Sequence, residues 1–514
     1  MNGLLVAIAL ISLWVIFVYL LHKYKKIKGP LSLMGPALMV KTKKGKSFIE
    51  NIGKSKFWRY YGDFSILLSF LIMIFVFLLL LWQAYIVMGI PPSQAPSPQE
   101  AIGIPGINPI IPVGYGIFAL VVAIVFHEFS HGFQIAFHKL KILSLGILLF
   151  IVPIGAFVEP DEDELKKTKR RYRMRVFAAG PITNILLAIV MLLLLMSLMS
   201  GVTVKYPGLY VASNFSENPN YGALPPGAIL MEINGMEIKN YEDYEVLLNS
   251  STQMPGEKID AKIYYQGVKN VSIYSGMVIV SVVKGYPAYQ AGIKKGGIIY
   301  SINGTVIRNR NDFLRALNLT HSNQRVEISV FYPPHRWYNT TVILGDKYSY
   351  YEKYAPQLNK PYYRGKGFLG ISASYLGITV GDANYYKDLI TNPFRNAKTP
   401  HDYFQATMLL IALPFSGLMP VPHSIQTIYN IPFPGFWIVI NTIYWLFWIN
   451  LMLGMTNLLP AVPLDGGYLF KDLLEYIGQK IKIKQPEKFS LEISSIVSLL
   501  ILFLIIWQFI GPRI

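Results

Sequence analysis

The sequence predicts a polytopic α-helical membrane protein with about six spanning helices, a re-entrant β-hairpin and an extracytoplasmic insert of two small α+β domains. Three observations predict this class. Hydrophobic residues make up 53% of the 514 residues and charged residues only 15%. The apolar residues form long uninterrupted runs, and the insert between these runs is polar and rich in turns.

Six apolar runs are long enough to cross a bilayer as helices. They are Leu4–Leu21, Phe64–Met88, Val113–Phe137, Pro181–Met199, Phe436–Leu453 and Leu491–Phe509. The first run has no basic region before it and no small-residue cleavage site after it. We therefore expect it to be retained as a helix rather than removed as a signal peptide.

The formal net charge of +18 comes mainly from basic residues in the loops beside the apolar runs. Positive charge in such loops marks the cytoplasmic side of a membrane protein. The most basic loop follows the first run and contains Lys23, Lys25, Lys26, Lys28, Lys41, Lys43, Lys44 and Lys46. This distribution argues against nucleic-acid binding, and the absence of cysteine excludes disulfides, thiol nucleophiles and zinc bound by cysteine.

The third run contains Phe126–Gly132, which places two histidines and a carboxylate at membrane depth. Ionisable groups there are costly and usually functional. His127 and His131 are four residues apart and lie on one helix face, where two imidazoles can bind one Zn²⁺ while Glu128 lies beside the bound water. Glu128 is the predicted catalytic residue. The alternative is a helix with two buried histidines and an unrelated glutamate.

Another ionisable group ends a later apolar run, in the segment Asn457–Gly467. Two prolines break the helix before Asp465. Irregular backbone at membrane depth is tolerated only where it is buried in protein or lines a wet cavity. Asp465 is therefore the predicted third metal ligand, and His138 and Glu159 are its rivals.

These residues resemble the site-2 protease family of intramembrane zinc metalloproteases, whose hallmarks are HExxH on one spanning helix and NxxPxxxLDG on another. The chain carries the first motif at His127–His131 and the second at Asn457–Gly466. The family's GPxxN element is similar to Gly180–Asn184. The resemblance covers 103–184 and 436–477.

The resemblance implies a zinc metalloendopeptidase that cleaves within or near a transmembrane helix of a membrane-protein substrate. The bulk of the polar insert described below adds the expectation that the substrate has already been cut outside the membrane. The resemblance implies Zn²⁺ as the cofactor, held by the three ligands named above, with Glu128 as the base. It further implies that Asn184 hydrogen-bonds the substrate backbone or the developing oxyanion; the alternative is a polar residue that packs helices together. Asn457 is a second expected substrate-binding residue.

The segment Ser144–Val158 is apolar but too short, and too rich in glycine and proline, to cross a bilayer as a helix. We predict a re-entrant β-hairpin beside the metal. Its edge can pair with an extended substrate backbone as an added strand. The alternative is a simple packing loop.

The polar insert contains an internal repeat, because Gly227–Gly235 matches Gly296–Gly304 at an offset of 69 residues. This offset suits two copies of a small domain rather than a solenoid. The second copy, with Gly276–Ile279 and Pro287–Gly292, resembles the PDZ domains of bacterial and archaeal proteases. The first copy begins at Gly208 and resembles a degenerate version.

A PDZ domain binds a peptide terminus by strand addition, so peptide binding is expected at the second copy. The alternative is a pair of folded spacers that limit access by bulk alone, and in either case we expect substrates with bulky outer domains to be excluded. Six Asn-x-Ser/Thr triplets agree with an extracytoplasmic insert. They begin at Asn214, Asn249, Asn270, Asn303, Asn318 and Asn339.

The segment Tyr403–Met419 is short and broken by proline, so we expect it to dip into or lie along the outer leaflet. If it crossed the bilayer, Phe436–Leu453 would run in the wrong direction and leave Asp465 on the outer face. The link that contains His423 and Ser424 should therefore stay outside.

The predicted divisions are 1–102, N-terminal membrane segments and basic cytoplasmic loop; 103–202, first part of the catalytic membrane core; 203–274 and 275–345, the two PDZ-like domains; 346–402, a connector; 403–434, an interfacial segment; 435–489, second part of the core; and 490–514, a C-terminal helix.

Two other functions use the same features. One is a catalytically silent scaffold or chaperone that captures peptides, which the intact set of candidate ligands and base argues against. The other is a transporter whose buried ionisable groups line an ion path, which the large insert and the lack of repeated spans argue against. Measuring the metal content of the protein and its cleavage of a model transmembrane substrate would distinguish the protease, the scaffold and the transporter.

Overall fold

The computed structural model of the chain describes residues 3–24, 29–90, 95, 97–101, 103, 105–150, 152–416 and 420–513. The chain divides into two compact units. The first comprises Met1–Ser197, Thr407–Gly417 and Ile438–Ile514, and the second comprises Leu198–Ala406 and Leu418–Trp437. The motifs of the predicted metal site lie in the first unit, and the internal repeat lies in the second.

The described helices, in chain order, are α1 (Gly3–Lys23), α2 (Lys46–Gly53), α3 (Phe57–Ile86), α4 (Val113–Phe137), α5 (Glu162–Lys167), α6 (Arg170–Ser200), α7 (Tyr241–Ser250), α8 (Pro287–Gln290), α9 (Arg310–Asn318), α10 (Lys347–Tyr354), α11 (Tyr385–Thr391), α12 (Pro400–Ala412), α13 (Phe436–Asn457), α14 (Asp465–Lys480) and α15 (Pro486–Ile510).

The described strands are β1 (Leu31–Met34), β2 (Ala37–Thr42), β3 (Ile142–Phe150), β4 (Val152–Pro160), β5 (Thr203–Val204), β6 (Leu209–Ser213), β7 (Ile229–Ile233), β8 (Met236–Glu237), β9 (Lys258–Tyr264), β10 (Val268–Tyr274), β11 (Met277–Val282), β12 (Ile298–Ile302), β13 (Thr305–Val306), β14 (Arg325–Tyr332), β15 (Arg336–Ile343), β16 (Gly345–Asp346), β17 (Gly367–Phe368), β18 (Ile371–Tyr375), β19 (Thr379–Asp382) and β20 (Tyr429–Asn430).

Five helical segments among the described residues are long and apolar enough to cross a membrane. They are Phe57–Gly89, Val113–Phe137, Arg170–Ser200, Phe436–Asn457 and Pro486–Arg513. The first predicted run lies in α1, in which Ser12–Lys23 forms a shorter apolar helical segment. A sixth span therefore stays a prediction. Lys25, Lys26 and Lys28 of the basic loop lie outside the described residues.

The first unit contains an antiparallel sheet with the strand order β1-β2-β3-β4. Strands β3 and β4 form the predicted hairpin. Strands β1 and β2 form a second hairpin in the segment predicted to be a basic loop, and β2 pairs with β3 so that Val40 lies opposite Ile147. Short apolar runs on either side of Gly35 and Pro36 are typical of such a hairpin, so the pattern was available in the sequence.

Helix α6 begins at Arg170 rather than at Pro181, and the proline lies in the helix interior. An interior proline removes a backbone hydrogen bond and normally ends or kinks a helix, which explains the predicted later start. Arginines in the first turns of α6 are ion-paired with acidic residues of α14 and α3: Arg170 with Glu475, Arg173 with Asp472, and Arg175 with Asp63. These pairs hold the N-terminal part of α6 in place.

The second unit contains two sheets with the same strand order. The first sheet has the order β10-β9-β7-β6-β19 with β8 beside β7, and the second has the order β15-β14-β12-β11-β18 with β13 beside β12. Helices α7 and α9 follow β8 and β13. Asn240 and Asn309 cap these helices: their Oδ1 atoms accept hydrogen bonds from the backbone N–H groups of Asp243 and Asp312, respectively. The sequence repeat is therefore also a repeat of structure.

The segment 346–402, predicted as a connector, supplies the outer strand of each sheet, since β18 pairs with β11 and β19 pairs with β6. Pairing between strands so far apart in the chain leaves no local pattern in the sequence. Buried residues from both sheets, among them Leu230, Ile299 and Leu376, belong to one hydrophobic core.

The predicted interfacial segment Tyr403–Met419 begins within α12, which has 13 residues. At about 1.5 Å per residue, such a helix is about 20 Å long, less than the hydrocarbon core of about 30 Å. A 3₁₀ turn, Leu413–Ser416, follows it, and 417–419 lie outside the described residues. His423–Ile428 form another 3₁₀ turn.

Candidate functional site

Helix α4 sets the spacing of the first two candidate ligands. The rings of His127 and His131 have centroids 4.7 Å apart, and their side chains are only 8% and 12% exposed. Glu128 is adjacent, and one donor atom from each of the three residues lies within 4.8 Å of the others. The helix thus gathers two imidazoles and a carboxylate in one place.

Asp465 reaches the same place from a distant part of the chain. It is the first residue of α14, directly after the irregular segment that follows α13. Its Oδ2 lies 3.1 Å from Nε2 of His127 and 3.4 Å from Nε2 of His131. A Cβ on Gly466 would lie 2.5 Å from the backbone of Leu458, so glycine after the aspartate allows α14 to begin in this close contact.

Hydrogen bonds determine which nitrogen of each histidine faces Asp465. Nδ1 of His127 donates to Oδ1 of Asn184 at 2.6 Å, and Nδ1 of His131 donates to the carbonyl oxygen of Val176 at 2.7 Å. Because the proton of each neutral imidazole is then on Nδ1, each Nε2 presents a lone pair. Metal-binding histidines are usually oriented by such a bond.

The donor set fits a zinc ion. Two Nε2 lone pairs and a carboxylate oxygen face one another at 3.1 and 3.4 Å. With both Nε2 atoms unprotonated, the carboxylate oxygen is repelled by their lone pairs, and a cation between them relieves this repulsion. Ligands about 2.0–2.2 Å from a tetrahedral zinc ion lie about 3.3–3.6 Å from one another. Three protein ligands of this type are also the number found in catalytic zinc sites.

Asn184, the predicted substrate-binding residue, lies beside His127. Its side chain is fully buried. Besides accepting from His127, it donates from Nδ2 to the carbonyl oxygen of Ala123 at 3.0 Å and to Oδ1 of Asn450 at 2.8 Å. Both amide protons have partners in this structure. These contacts orient His127, and substrate binding by Asn184 stays a prediction.

Asn450 is a site residue that the sequence prediction omits. It lies buried on α13, accepts from Asn184 at 2.8 Å, and donates from Nδ2 to the carbonyl oxygen of Leu446 at 2.8 Å. Its position links α13 through α6 to the histidine on α4. A lone asparagine within an apolar run was the available signal, since polar residues there usually have a partner.

Glu128 faces a cavity of about 300 Å³ that all three candidate ligands also line. Its Oε2 accepts a hydrogen bond from the backbone N–H of Val158 on β4, at 3.1 Å. Asn457 lines the same cavity, and its Nδ2 donates to the carbonyl oxygen of Leu453 at 3.1 Å. The predicted base, the ligands, Asn457 and the hairpin therefore meet at one cavity.

The two rival third ligands have other partners. Glu159 is ion-paired with Lys41 of β2 at 2.7 Å and accepts a hydrogen bond from the Ser144 hydroxyl. The hydrogen bond from Lys41, and then that from Ser144, lower the pKa of Glu159. His138 stacks on Tyr172 with ring centroids 3.9 Å apart. Neither rival is among the described residues that line the cavity.

Gly180, the first residue of the GPxxN element, lies against the two imidazoles. A Cβ at this position would lie 2.4 Å from Nε2 of His131 and 2.8 Å from Nε2 of His127. These distances are far inside van der Waals contact, at the very atoms that would hold the metal. Only a residue without a side chain keeps that space open, and the sequence alone did not reveal this role.

We therefore expect Gly180→Ala to lower the zinc content of the purified protein at least about 10-fold, as disturbance of a ligand's surroundings does in metal sites. Zinc per chain is measured by mass spectrometry on folded protein in detergent. Gly201→Ala is the matched control, because a Cβ there would lie 3.6 Å from its nearest neighbour. Full zinc content in the Gly180 variant would show that the ion does not lie between the histidines.

Comparison with known proteins identifies a family and two relatives. Residues 115–502, more than half of the chain, match Peptidase family M50. An uncharacterized protein of Methanocaldococcus jannaschii, MJ0971, is 30% identical over 266 residues, which cover 50% of this chain and 67% of that protein.

A protein of Borreliella burgdorferi with the name "Putative zinc metalloprotease" is 21% identical over 240 residues, which cover 40% of this chain and 54% of that protein. The chain thus spans about half the length of this second relative.

Proposed function

The chain belongs to peptidase family M50, and we propose that it is an intramembrane zinc metalloendopeptidase. It would hydrolyse a peptide bond within or near a transmembrane helix of a membrane-protein substrate. The family membership, the similarity to the Borreliella burgdorferi protein and the five apolar helices among the described residues support a membrane protease.

One observation carries the proposal: Oδ2 of Asp465 lies 3.1 Å from Nε2 of His127 and 3.4 Å from Nε2 of His131, beside the Glu128 carboxylate that lines the same cavity. These three residues would hold the ion. The hydrogen bonds of the two Nδ1–H groups keep the Nε2 lone pairs directed at it.

Zinc, when bound, would polarise the scissile carbonyl and acidify a water molecule in the site. Glu128 takes the proton of the attacking water as general base and then delivers it to the leaving amine as general acid. Its hydrogen bond from the Val158 N–H, at 3.1 Å, holds the carboxylate in the cavity.

We further propose that the substrate binds as an extended segment along β4. This strand lies at the end of its sheet, and an edge strand can accept an added strand through backbone hydrogen bonds. Asn457, on the wall of the same cavity, is the proposed side-chain contact to the substrate.

A cavity of about 300 Å³ admits a short extended peptide and not a folded domain. The substrate helix must therefore unwind locally. A helix already trimmed of its outer domain by another protease is the proposed substrate, which would give the enzyme a role in regulated intramembrane proteolysis.

The test is a paired measurement on the full-length chain purified in detergent. We expect about one zinc ion per chain and cleavage of a model substrate that has one transmembrane helix and no folded outer domain. A chelator should stop cleavage and added zinc should restore it. A chain that binds peptides but holds no zinc and cleaves nothing would be the silent scaffold instead.

We propose that the protein is a multi-pass protein of the cell membrane, with the site toward the cytoplasmic half and the repeats outside. The lysine-rich loop after the first apolar run supports this orientation, because such loops stay in the cytoplasm. The six Asn-x-Ser/Thr triplets, which lie in the polar insert, agree with this orientation.

A labelling experiment tests the orientation, because the chain has no cysteine. Ser424 is exposed, and we expect a membrane-impermeant maleimide to label Ser424→Cys in intact cells, since α12 is too short to cross. Ser55→Cys, at an exposed position between the first two predicted spans, is the control and should react only in inverted vesicles. The opposite pattern would refute the orientation.

A further inference from the structure

One short segment after the two repeats pairs with both of them. We define repeat 1 as 203–274, repeat 2 as 275–345 and the closing segment as 371–382. Strand β18 of the closing segment runs antiparallel to β11 of repeat 2, with Tyr375 opposite Met277. Strand β19 runs antiparallel to β6 of repeat 1, with Val380 opposite Val211. The same stretch of chain therefore completes both sheets.

In each repeat the closing segment lies at the edge where a PDZ-like domain adds a peptide strand. Strand β11 begins directly after Gly276 and β6 directly after Gly208, and strand addition in PDZ domains uses the strand after this glycine. Residues of α7 and α9 line a cavity of about 440 Å³ together with residues of β18 and β19. The added strands thus lie close to the helices, as a bound peptide would.

The closing segment turns where a peptide terminus would lie. Leu376 has a φ of 58° and Gly377 a φ of 72°. The N–H of Leu376 donates to the carbonyl oxygen of Gly276 at 3.0 Å. Nδ2 of Asn218 donates to the carbonyl oxygens of Leu376 and Gly377, both at 3.0 Å. Because Asn218 belongs to repeat 1 and Gly276 to repeat 2, both repeats hold this turn.

The side chains of the closing segment are part of the core. Tyr375 is 1% exposed, Leu376 0% and Ile378 4%. The Tyr375 hydroxyl also lies 2.8 Å from the hydroxyl of Ser251, directly after α7. Release of the segment would return these buried apolar side chains to water, which opposes its release.

We propose that the closing segment is an internal ligand that permanently fills the strand-addition edge of both repeats, so that neither repeat binds a peptide terminus there. A ligand on the same chain acts at a millimolar or higher effective concentration, and a free peptide has to overcome both this concentration and the buried contacts. The repeats then form one closed body, and substrate choice does not depend on a peptide terminus. This goes beyond the proposed proteolysis and does not require it.

Cross-linking of the full-length chain in detergent tests the occupancy of the edges. Ser281 and Ser372 are directly opposite on β11 and β18 and are both exposed, so S281C/S372C should lose nearly all free thiol on mild oxidation or with a short bis-maleimide. S213C/T379C makes the same test on repeat 1, where the two positions are also opposite and exposed. Single-cysteine variants are the controls and should keep their thiol.

Peptide binding tests whether the closing segment ever dissociates from the edges of the two sheets. The probe is a fluorescent peptide with a free carboxyl terminus that copies Ile371–Leu376. The variant L376N keeps a residue that tolerates positive φ but lacks the buried leucine. We expect the wild-type chain to bind the probe at least about 100-fold more weakly than L376N does.

Three outcomes overturn the proposal. One is that the paired cysteines remain free under conditions that modify the single ones. Another is that the wild-type chain binds the probe saturably and cross-linked S281C/S372C loses that binding at least about 10-fold. The third is a folded L376N variant that ignores the probe, because its edges then accept no added strand. If L376N does not fold, the first two measurements still decide, and none of them depends on proteolytic activity.

Discussion

We expect Glu128→Gln to abolish peptide hydrolysis while the purified protein keeps its zinc. The three proposed ligand atoms, from His127, His131 and Asp465, are unchanged in this variant, whereas the new amide cannot take the proton of the attacking water. Loss of a general base lowers rates by about 10²–10⁴-fold. The measurement combines the single-turnover cleavage rate of the model helix with zinc per chain.

The matched control for this variant is Glu162→Gln. Glu162 is a surface residue paired with Lys166 at 2.9 Å, so its replacement removes the same charge without touching the cavity. We expect wild-type cleavage from the control. Cleavage at the wild-type rate by Glu128→Gln would show that another group is the base, and loss of zinc from it would make Glu128 a ligand.

Asp465→Asn has the second largest expected effect, a fall in zinc affinity of at least about 100-fold. Loss of an outer-shell partner already costs about 10–100-fold in metal affinity, and Asp465 supplies the carboxylate oxygen that lies 3.1 and 3.4 Å from the two Nε2 atoms. Competition against a chelator of known affinity measures the change in the folded protein.

Glu159→Gln is the informative comparison, because Glu159 is the other carboxylate considered as third ligand. It is bound to Lys41 and Ser144, so its replacement should leave zinc affinity unchanged. If Glu159→Gln abolished zinc binding and Asp465→Asn did not, the third ligand would have been assigned to the wrong carboxylate.

Parts of the candidate site that depend on a single helix or loop could be predicted from the local sequence. The four-residue spacing of His127 and His131 places both on one helix face whatever the rest of the chain does. Asp465 was predicted by an equally local argument. Prolines end the apolar helix before it, and irregular backbone at membrane depth must be buried in protein or line a water-filled cavity. The structure brings these residues together.

The orientation of Asn184 could not be predicted in the same way. Its sequence position gives its helix but not the neighbours of its amide, and those neighbours, Ala123 and Asn450, come from two other helices. The role of Gly180 could not be predicted for a related reason. It depends on residues of α4 that lie where a side chain at this position would be.

Strand pairing between remote segments accounts for the differences in the fold. The predicted hairpin β3-β4 is local and is present, whereas β1 and β2 join it across more than a hundred residues. The closing segment likewise pairs with strands of both repeats that precede it by a long stretch of chain. Such strand pairs form because both strands are buried together in the folded chain. A short stretch of sequence gives no information about which remote strand will be the partner.

The separation of 338 residues between His127 and Asp465 has a consequence for biosynthesis. While the polypeptide is being made, α4 enters the membrane long before α14 is translated, and two imidazoles without a carboxylate form an incomplete site. The hydrogen bond between Asn184 and Asn450 places the same requirement on α13. Under the proposed ligand set, a growing chain that has not yet reached Asp465 has no complete zinc site, so it would not hydrolyse peptide bonds.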